Sequence, residues 1–214
     1  MKQIDLIIFD LDGTLVASED GIVQSVLATL RHFGLPEKSR DEIISFIGTG
    51  IHDLIIKSSD KTDAFFVEEA IMILECKFKE YSDQHTFLYP NTLSVLDHFK
   101  DKIMVIISNR NAQLAIHTLK HFGLLKYFSK VMGGDELTRK KPSPSLIDEC
   151  LTLYTISKQN AIIIGDMDID INAGKNAGIL TCAIKSAISN WDEVIKTKPD
   201  FIIDDIIDLK NIIY

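Results

Sequence analysis

Cysteine is scarce. The chain has three, Cys76, Cys150 and Cys182, none at CxxC spacing, so it offers neither a disulfide framework nor a cysteine-based metal site. Their expected place is in the core, as small apolar residues of a reducing compartment. Positive charge is also short. The formal net charge of −8 leaves no global basic field to attract nucleic acid. A protein so acidic that handles anions must concentrate positive charge locally, on a cation or on a few placed Lys and Arg side chains. Long apolar runs are missing as well: Asp5 and Asp10 interrupt and close the stretch that follows Lys2, and nothing reaches membrane-spanning length. Repeats and low-complexity tracts are absent. The expectation is a cytoplasmic protein with no membrane or nucleic-acid partner, acting as a monomer or homodimer.

What is present suits one α/β domain carrying a modest insert: 214 residues, 46% hydrophobic and 25% charged. A chain of that length buries a core without staples. Short aliphatic runs at 6–9, 103–107, 161–164, 179–184 and 201–203 lack clean alternation and read as strands buried on both faces. Helical patterns at 92–99, 112–122, 143–154 and 169–177 lie between them, so the expected core is a parallel, Rossmann-like sheet with helices on both faces. The stretch 18–87 breaks this alternation with helical periodicity only. Val23, Val26, Leu27 and Leu30 form one stripe; Phe66, Ala70, Ile73, Leu74 and Phe78 form another. The expected organisation is therefore a core of 1–17 and 88–214 and a helical cap of 18–87 inserted after the first strand, with Phe65, Phe66 and Phe78 in the cap's interior.

Four segments carry chemistry. Asp10 and Asp12 flank Leu11 at the end of the first strand, ahead of Gly13 and Thr14. Paired carboxylates there can divide attack on phosphorus and proton transfer between them, although an Asp-Gly turn alone would look the same. Gly165-Asp166-Met167-Asp168-Ile169-Asp170 clusters oxygen ligands of the kind a hard cation such as Mg2+ takes. It is not an EF-hand, because Ile171 and Ala177 occupy the positions that need glycine and glutamate. Lys141 precedes Pro142, in extended backbone from which a long side chain reaches inward, or else belongs to a solvated basic turn. Ser108-Asn109-Arg110 combines a hydroxyl with exposed amides at a strand-to-helix junction, a phosphate cradle or a plain N-cap. All four lie beyond the carboxyl ends of expected parallel strands, where ligands of open α/β sheets bind.

In this order, Asp10–Thr14, Ser108-Asn109, Lys141-Pro142 and Gly165-Asp166 with Asp170 resemble the four motifs of the haloacid dehalogenase-like hydrolases. The insert after the first motif, with Tyr89-Pro90 at its return, resembles the small cap of the phosphoglycolate phosphatase-like subgroup. The resemblance implies Mg2+-dependent hydrolysis of a small phosphate monoester, phosphoglycolate-like, or of pyrophosphate or a nucleotide monophosphate, through an aspartyl-phosphate. Asp10 would be the nucleophile and a metal ligand, and Asp12 the general acid and base, its carbonyl on the metal. Ser108, Asn109, Gly13, Thr14 and Lys141 would hold the phosphoryl group, Asp166 would complete the metal ligands, and Asp170 would support the metal or the lysine. Asp12 favours phosphoryl transfer over dehalogenation, since dehalogenases lack that aspartate. Asn91, Arg110 and Asp168 depart from the subgroup's usual residues, and the loop at 186–191 lacks its expected glycines. Alternative readings are a β-phosphoglucomutase-type mutase and a non-catalytic interaction protein on the same fold. His117 and His121, four residues apart, and His52 in the cap are expected to be ordinary helix and loop residues.

Overall fold

The computed structural model describes residues 1–214, and the first apolar run forms β1 (Leu6–Phe9), buried along its whole length. A short β2 (Val16–Ala17) follows. Four helices come next, α1 (Glu19–His32), α2 (Arg40–Ser45), α3 (Ile51–Ser59) and α4 (Ala64–His85), and the chain returns on β3 (Phe87–Leu88). Beyond it lie α5 (Thr92–His98), β4 (Ile103–Ile107), α6 (Ala112–His121) and β5 (Lys130–Met132). Then come α7 (Ser145–Tyr154), β6 (Ala161–Gly165), α8 (Asp168–Ala177) and β7 (Leu180–Ile184). The chain ends with α9 (Trp191–Lys196), β8 (Phe201–Ile203) and α10 (Leu209–Ile212).

Six strands form one sheet in the order β5-β4-β1-β6-β7-β8, every pair parallel. Successive strand residues face opposite ways. Ile7 and Phe9 join one apolar cluster with Met104, Ile106, Ile162 and Ile164. Leu6 and Ile8 join the other with Val105, Ile107 and Ile163. Both faces are covered by helices, so neither half of a strand can be polar, and the runs are continuous rather than alternating. The order turns about β1, with β4 and β5 to one side and β6, β7 and β8 to the other. Such a reversal opens a crevice above the carboxyl ends of the central strands.

The cap hangs from a ribbon: β2 pairs antiparallel with β3, Val16 opposite Leu88 and Ala17 opposite Phe87. Val23, Val26 and Leu30 of α1 share one cluster with Ala70, Leu74 and Phe78 of α4, together with Ile43, Leu54 and Ile55. Leu114 of α6 belongs to the same cluster and joins the cap's interior to the core. One expectation fails here. Phe65 is 77% exposed and lies outside the cap interior, whereas Phe66 packs partly against it and Phe78 is buried. Adjacent helical residues point about 100° apart, so Phe65 and Phe66 do not share a face. Asn91 has φ +66°, in the left-handed region that glycine and asparagine enter most readily, and this accounts for asparagine in place of glycine. No helix is long and apolar enough to cross a membrane.

Candidate active site

All four segments arrive at one edge of the sheet. Asp10 follows β1, Ser108 and Asn109 follow β4, Lys141 sits on the loop between β5 and α7, and Asp166 follows β6. Lys141 Nζ lies 2.6 Å from Asp10 Oδ1 and 2.6 Å from Asp170 Oδ1, and donates to the Ile107 carbonyl at 2.9 Å. Asp10, Asp166 and Asp170 are buried, and one carboxylate oxygen from each lies within 4.8 Å of the others. Asp166 is fixed by hydrogen bonds from Thr14 Oγ1 at 3.3 Å and Ser186 Oγ at 2.5 Å. Gly13 is required by this crowding: at φ +81°, a Cβ there would lie 2.2 Å from Asp166 Oδ2. A Cβ on Gly165 would lie 2.3 Å from the carboxyl carbon of Asp170.

Three buried carboxylates face one ammonium. Burial pushes Asp10 from 3.8 up to about 7; Lys141 opposes the rise, and Asp170 and Asp12 add to it. Burial, then Asp170 and Asp10, also holds Asp166 well above the usual carboxylate range, against the hydrogen bond from Ser186. For Lys141, burial works against the charge, but Asp10 and Asp170 overcome it and hold the proton more firmly than usual. The cluster's excess negative charge, carried on hard oxygens, suits coordination of a divalent cation. A bound cation would return the carboxylates to their charged form.

Asp12 is outside that cluster. Its Oδ1 accepts from Ser18 Oγ and pairs with the Arg110 guanidinium. Arg110 in turn stacks 4.1 Å from the centroid of the Phe78 ring in α4 and donates from Nη1 to Thr118 Oγ1 at 3.0 Å. The Asn109 carboxamide is fully used: Nδ2 donates to the Gly48 and Lys141 carbonyls at 3.0 Å each, and Oδ1 accepts from Lys141 N at 2.8 Å. It braces the lysine loop and touches the cap, so any contact of Asn109 with phosphate falls to its backbone. Thr14 likewise spends its hydroxyl on Asp166, and the Gly13 N–H donates to the Val16 carbonyl at 2.9 Å. Ser108 and Lys141 line the pocket itself.

That pocket is a cleft open to solvent, with a cavity volume of about 90 Å3. Its core side carries all the charged side chains together with Leu114, Met167, Ile169 and Ile188, while its cap side is lined by Ile22, Ile47, Ile51, Leu54, Leu74 and Phe78. Asp168 is half-buried in the first turn of α8, away from the carboxylate cluster. His52 lies beside Asp53 at 3.8 Å and does not line the pocket. His117 Nε2 and His121 Nδ1 lie 3.0 and 3.4 Å from Asp83 Oδ1 of α4, tying α6 to the cap. Sequence reasoning missed Ser18 and Ser186. The one available signal for Ser186 was a hydroxyl in a loop short of its expected glycines.

A model of the haloacid dehalogenase-like hydrolase family matches residues 7–184. A phosphoglycolate phosphatase of Aquifex aeolicus is 34% identical, over 92% of this chain and 90% of its own. Pyrophosphatase PpaX of Listeria welshimeri is 32% identical, over 99% of this chain and 97% of its own. Among solved structures, a predicted phosphoglycolate phosphatase from Haemophilus somnus superposes with a TM-score of 0.92 and 26% identity, covering 99% of both chains. Family, fold and buried aspartate cluster agree: the chain belongs to the haloacid dehalogenase-like hydrolases and hydrolyses phosphate monoesters.

Proposed function

We propose that this protein is a Mg2+-dependent phosphatase of small phosphorylated metabolites, phosphoglycolate or pyrophosphate among them, working through a phosphoryl group carried on Asp10. The observation that carries the reading is the buried cluster of Asp10, Asp166 and Asp170 around Lys141, with Asp12 at the same mouth. Three carboxylates against one lysine fit a divalent cation. Asp10, Asp166 and the backbone carbonyl of Asp12 would hold it, with Asp170 keeping Lys141 in place. Bound there, Mg2+ would neutralise the cluster and polarise the phosphoryl oxygens.

The chain's own residues then divide the work. A carboxylate oxygen of Asp10 attacks phosphorus, the ester P–O bond breaks, and Asp12 gives its proton to the leaving oxygen. Lys141 and Ser108 hold the transferred group, together with the backbone N–H groups of Leu11, Asp12 and Asn109, which have no acceptor within the chain. Water next attacks the phosphoryl group while Asp12 takes up its proton. The P–O bond to Asp10 breaks, releasing phosphate and restoring the carboxylate. The cap, assigned to 18–87, would exclude water by closing about the β2–β3 ribbon.

The test is phosphate release from phosphoglycolate, pyrophosphate, nucleotide monophosphates, sugar phosphates and an aryl phosphate, with Mg2+, with chelator, and with Asp10→Asn. Release requiring both Mg2+ and Asp10 supports the reading. Phosphate exchange on a sugar that needs a bisphosphate activator would replace it with a mutase, and no release from any substrate would remove it.

A further inference from the structure

Arg110 has more donors than the chain uses. A guanidinium carries five N–H groups. Among its side-chain hydrogen bonds, one goes to Asp12 and one to Thr118. The side chain is only 8% exposed and lines the pocket. It is also held in position, with Phe78 across its face and Thr118 at one end. An immobilised, desolvated fork with donors to spare is a strong site for a planar or tetrahedral anion.

Its place relative to the chemistry says which anion. Asp10 attacks phosphorus from one side, so the leaving oxygen departs on the other, where Asp12 protonates it. Arg110 is bonded to Asp12, so it stands beside whatever the leaving oxygen is attached to. The remaining partners there are poor. Lys141 is committed to Asp10 and Asp170, no other lysine or arginine lines the pocket, and the cap side is mainly apolar.

We propose that Arg110 is the specificity determinant of the pocket, binding a second anionic group placed one or two bonds beyond the leaving oxygen. The favoured substrates are therefore compact phosphate esters or anhydrides that carry a carboxylate or a further phosphate next to the scissile bond. Neutral leaving groups of equal size leave the spare donors of the guanidinium unpaired and are turned over less efficiently. This rests on the phosphatase reading and extends it to substrate class.

The test compares phosphoglycolate with its neutral amide, and pyrophosphate with phenyl phosphate, by kcat/KM. The unmodified protein should prefer the anionic member of each pair by about tenfold or more, as expected for a charge-assisted hydrogen bond. Arg110→Gln should collapse both ratios towards one, and Arg110→Lys should give intermediate ratios. Preference for only one pair would name carboxylate or phosphate as the group recognised. Equal rates within both pairs for the unmodified protein, or ratios preserved in Arg110→Gln, would overturn the proposal while leaving the phosphatase in place. Absence of Asp10-dependent release from every substrate would remove both. A second readout needs no variant: phosphoglycolate, but not its amide, should slow modification of Arg110 by phenylglyoxal, and equal protection by both would also overturn it.

Discussion

The two walls of the pocket differ in where the charge lies: the core wall mixes charged groups with Leu114, Met167, Ile169 and Ile188, and the cap wall carries no charged side chain. On the core side, buried charges crowd at the ends of paired strands, each fixed by a neighbour: Asp166 by Thr14 and Ser186, Lys141 by Asp10, Asp170 and the Ile107 carbonyl. On the cap side, aliphatic residues from separate helices meet the pocket without polar obligations. Polar ties between core and cap run from Asn109 to the Gly48 carbonyl, from Lys140 to the Thr49 carbonyl, from Ser18 to Asp12 and from His117 and His121 to Asp83, beside the stacking of Arg110 on Phe78. Rigid charge and adjustable apolar cover serve different ends. The first must not move by a fraction of an ångström during phosphoryl transfer. The second holds no charge in place, so any displacement of it would carry little electrostatic cost.

Changes on the two walls should therefore separate activity from stability. Asp10→Asn should lower phosphate release by about a thousandfold or more, as loss of a covalent nucleophile does. It should not lower the melting temperature without metal, because it removes one carboxylate from an overcrowded cluster. Retained turnover would place the nucleophile elsewhere. Lys141→Met leaves Asp10 and Asp170 buried together without their ammonium. It should cost about 3–5 kcal/mol of stability at pH 8, measured by urea unfolding, and less at pH 5, where the carboxylates can take up protons. A loss equal at both pH values would mean that packing, not charge, is Lys141's contribution.

Proton linkage tests the same wall in the unaltered protein. Unfolded, Asp10 releases its proton near 3.8; folded without metal it holds it to about 7. Between those values the folded state binds more protons, so stability falls as pH rises through that window. Mg2+ competes with those protons, and the melting-temperature increase it causes should grow over the same range. An increase that stays flat would move the cation away from Asp10. The cap wall responds more gently. Gly48 has φ +116° and a Cβ there would sit 2.5 Å from Met167 Sδ, whereas Gly34 at φ +63° has nothing within 4 Å. Each Gly→Ala should cost about 1 kcal/mol for the left-handed backbone. Only the change at Gly48 should also lower kcat/KM, by disturbing how the cap meets α8. Equal kinetics for the two variants would show that this loop does not shape the pocket.

The core strands and the placement of the clustered carboxylates were legible because their signals are local: an aliphatic run ends, and an acid stands at its end. β5 was not, since Lys130–Met132 is three residues long and begins with a charge. Nor were β2 and β3, two residues each, whose pairing depends on the insert returning to the same place. The roles of Arg110 and Asn109 were hidden for another reason. Arg110 meets Asp12 across 98 residues, and Asn109 meets Gly48 across 61. Such partners follow from the closed fold and from no spacing within a motif. Phe65 and Phe78 show the same limit within one helix, where position around the axis decides between solvent and pocket.

The β2–β3 ribbon has a further consequence. Because the chain leaves at Ala17 and returns at Phe87 directly opposite, the sheet experiences everything between them as a single closed loop. The entropy of closing such a loop grows only with the logarithm of its length, about 0.6 kcal/mol for each doubling. Lengthening, trimming or exchanging the helices between these two points therefore burdens the folding of the sheet very little. The apolar cover of the pocket can be rebuilt wholesale, while Arg110 and the machinery that breaks the phosphate bond stay as they are.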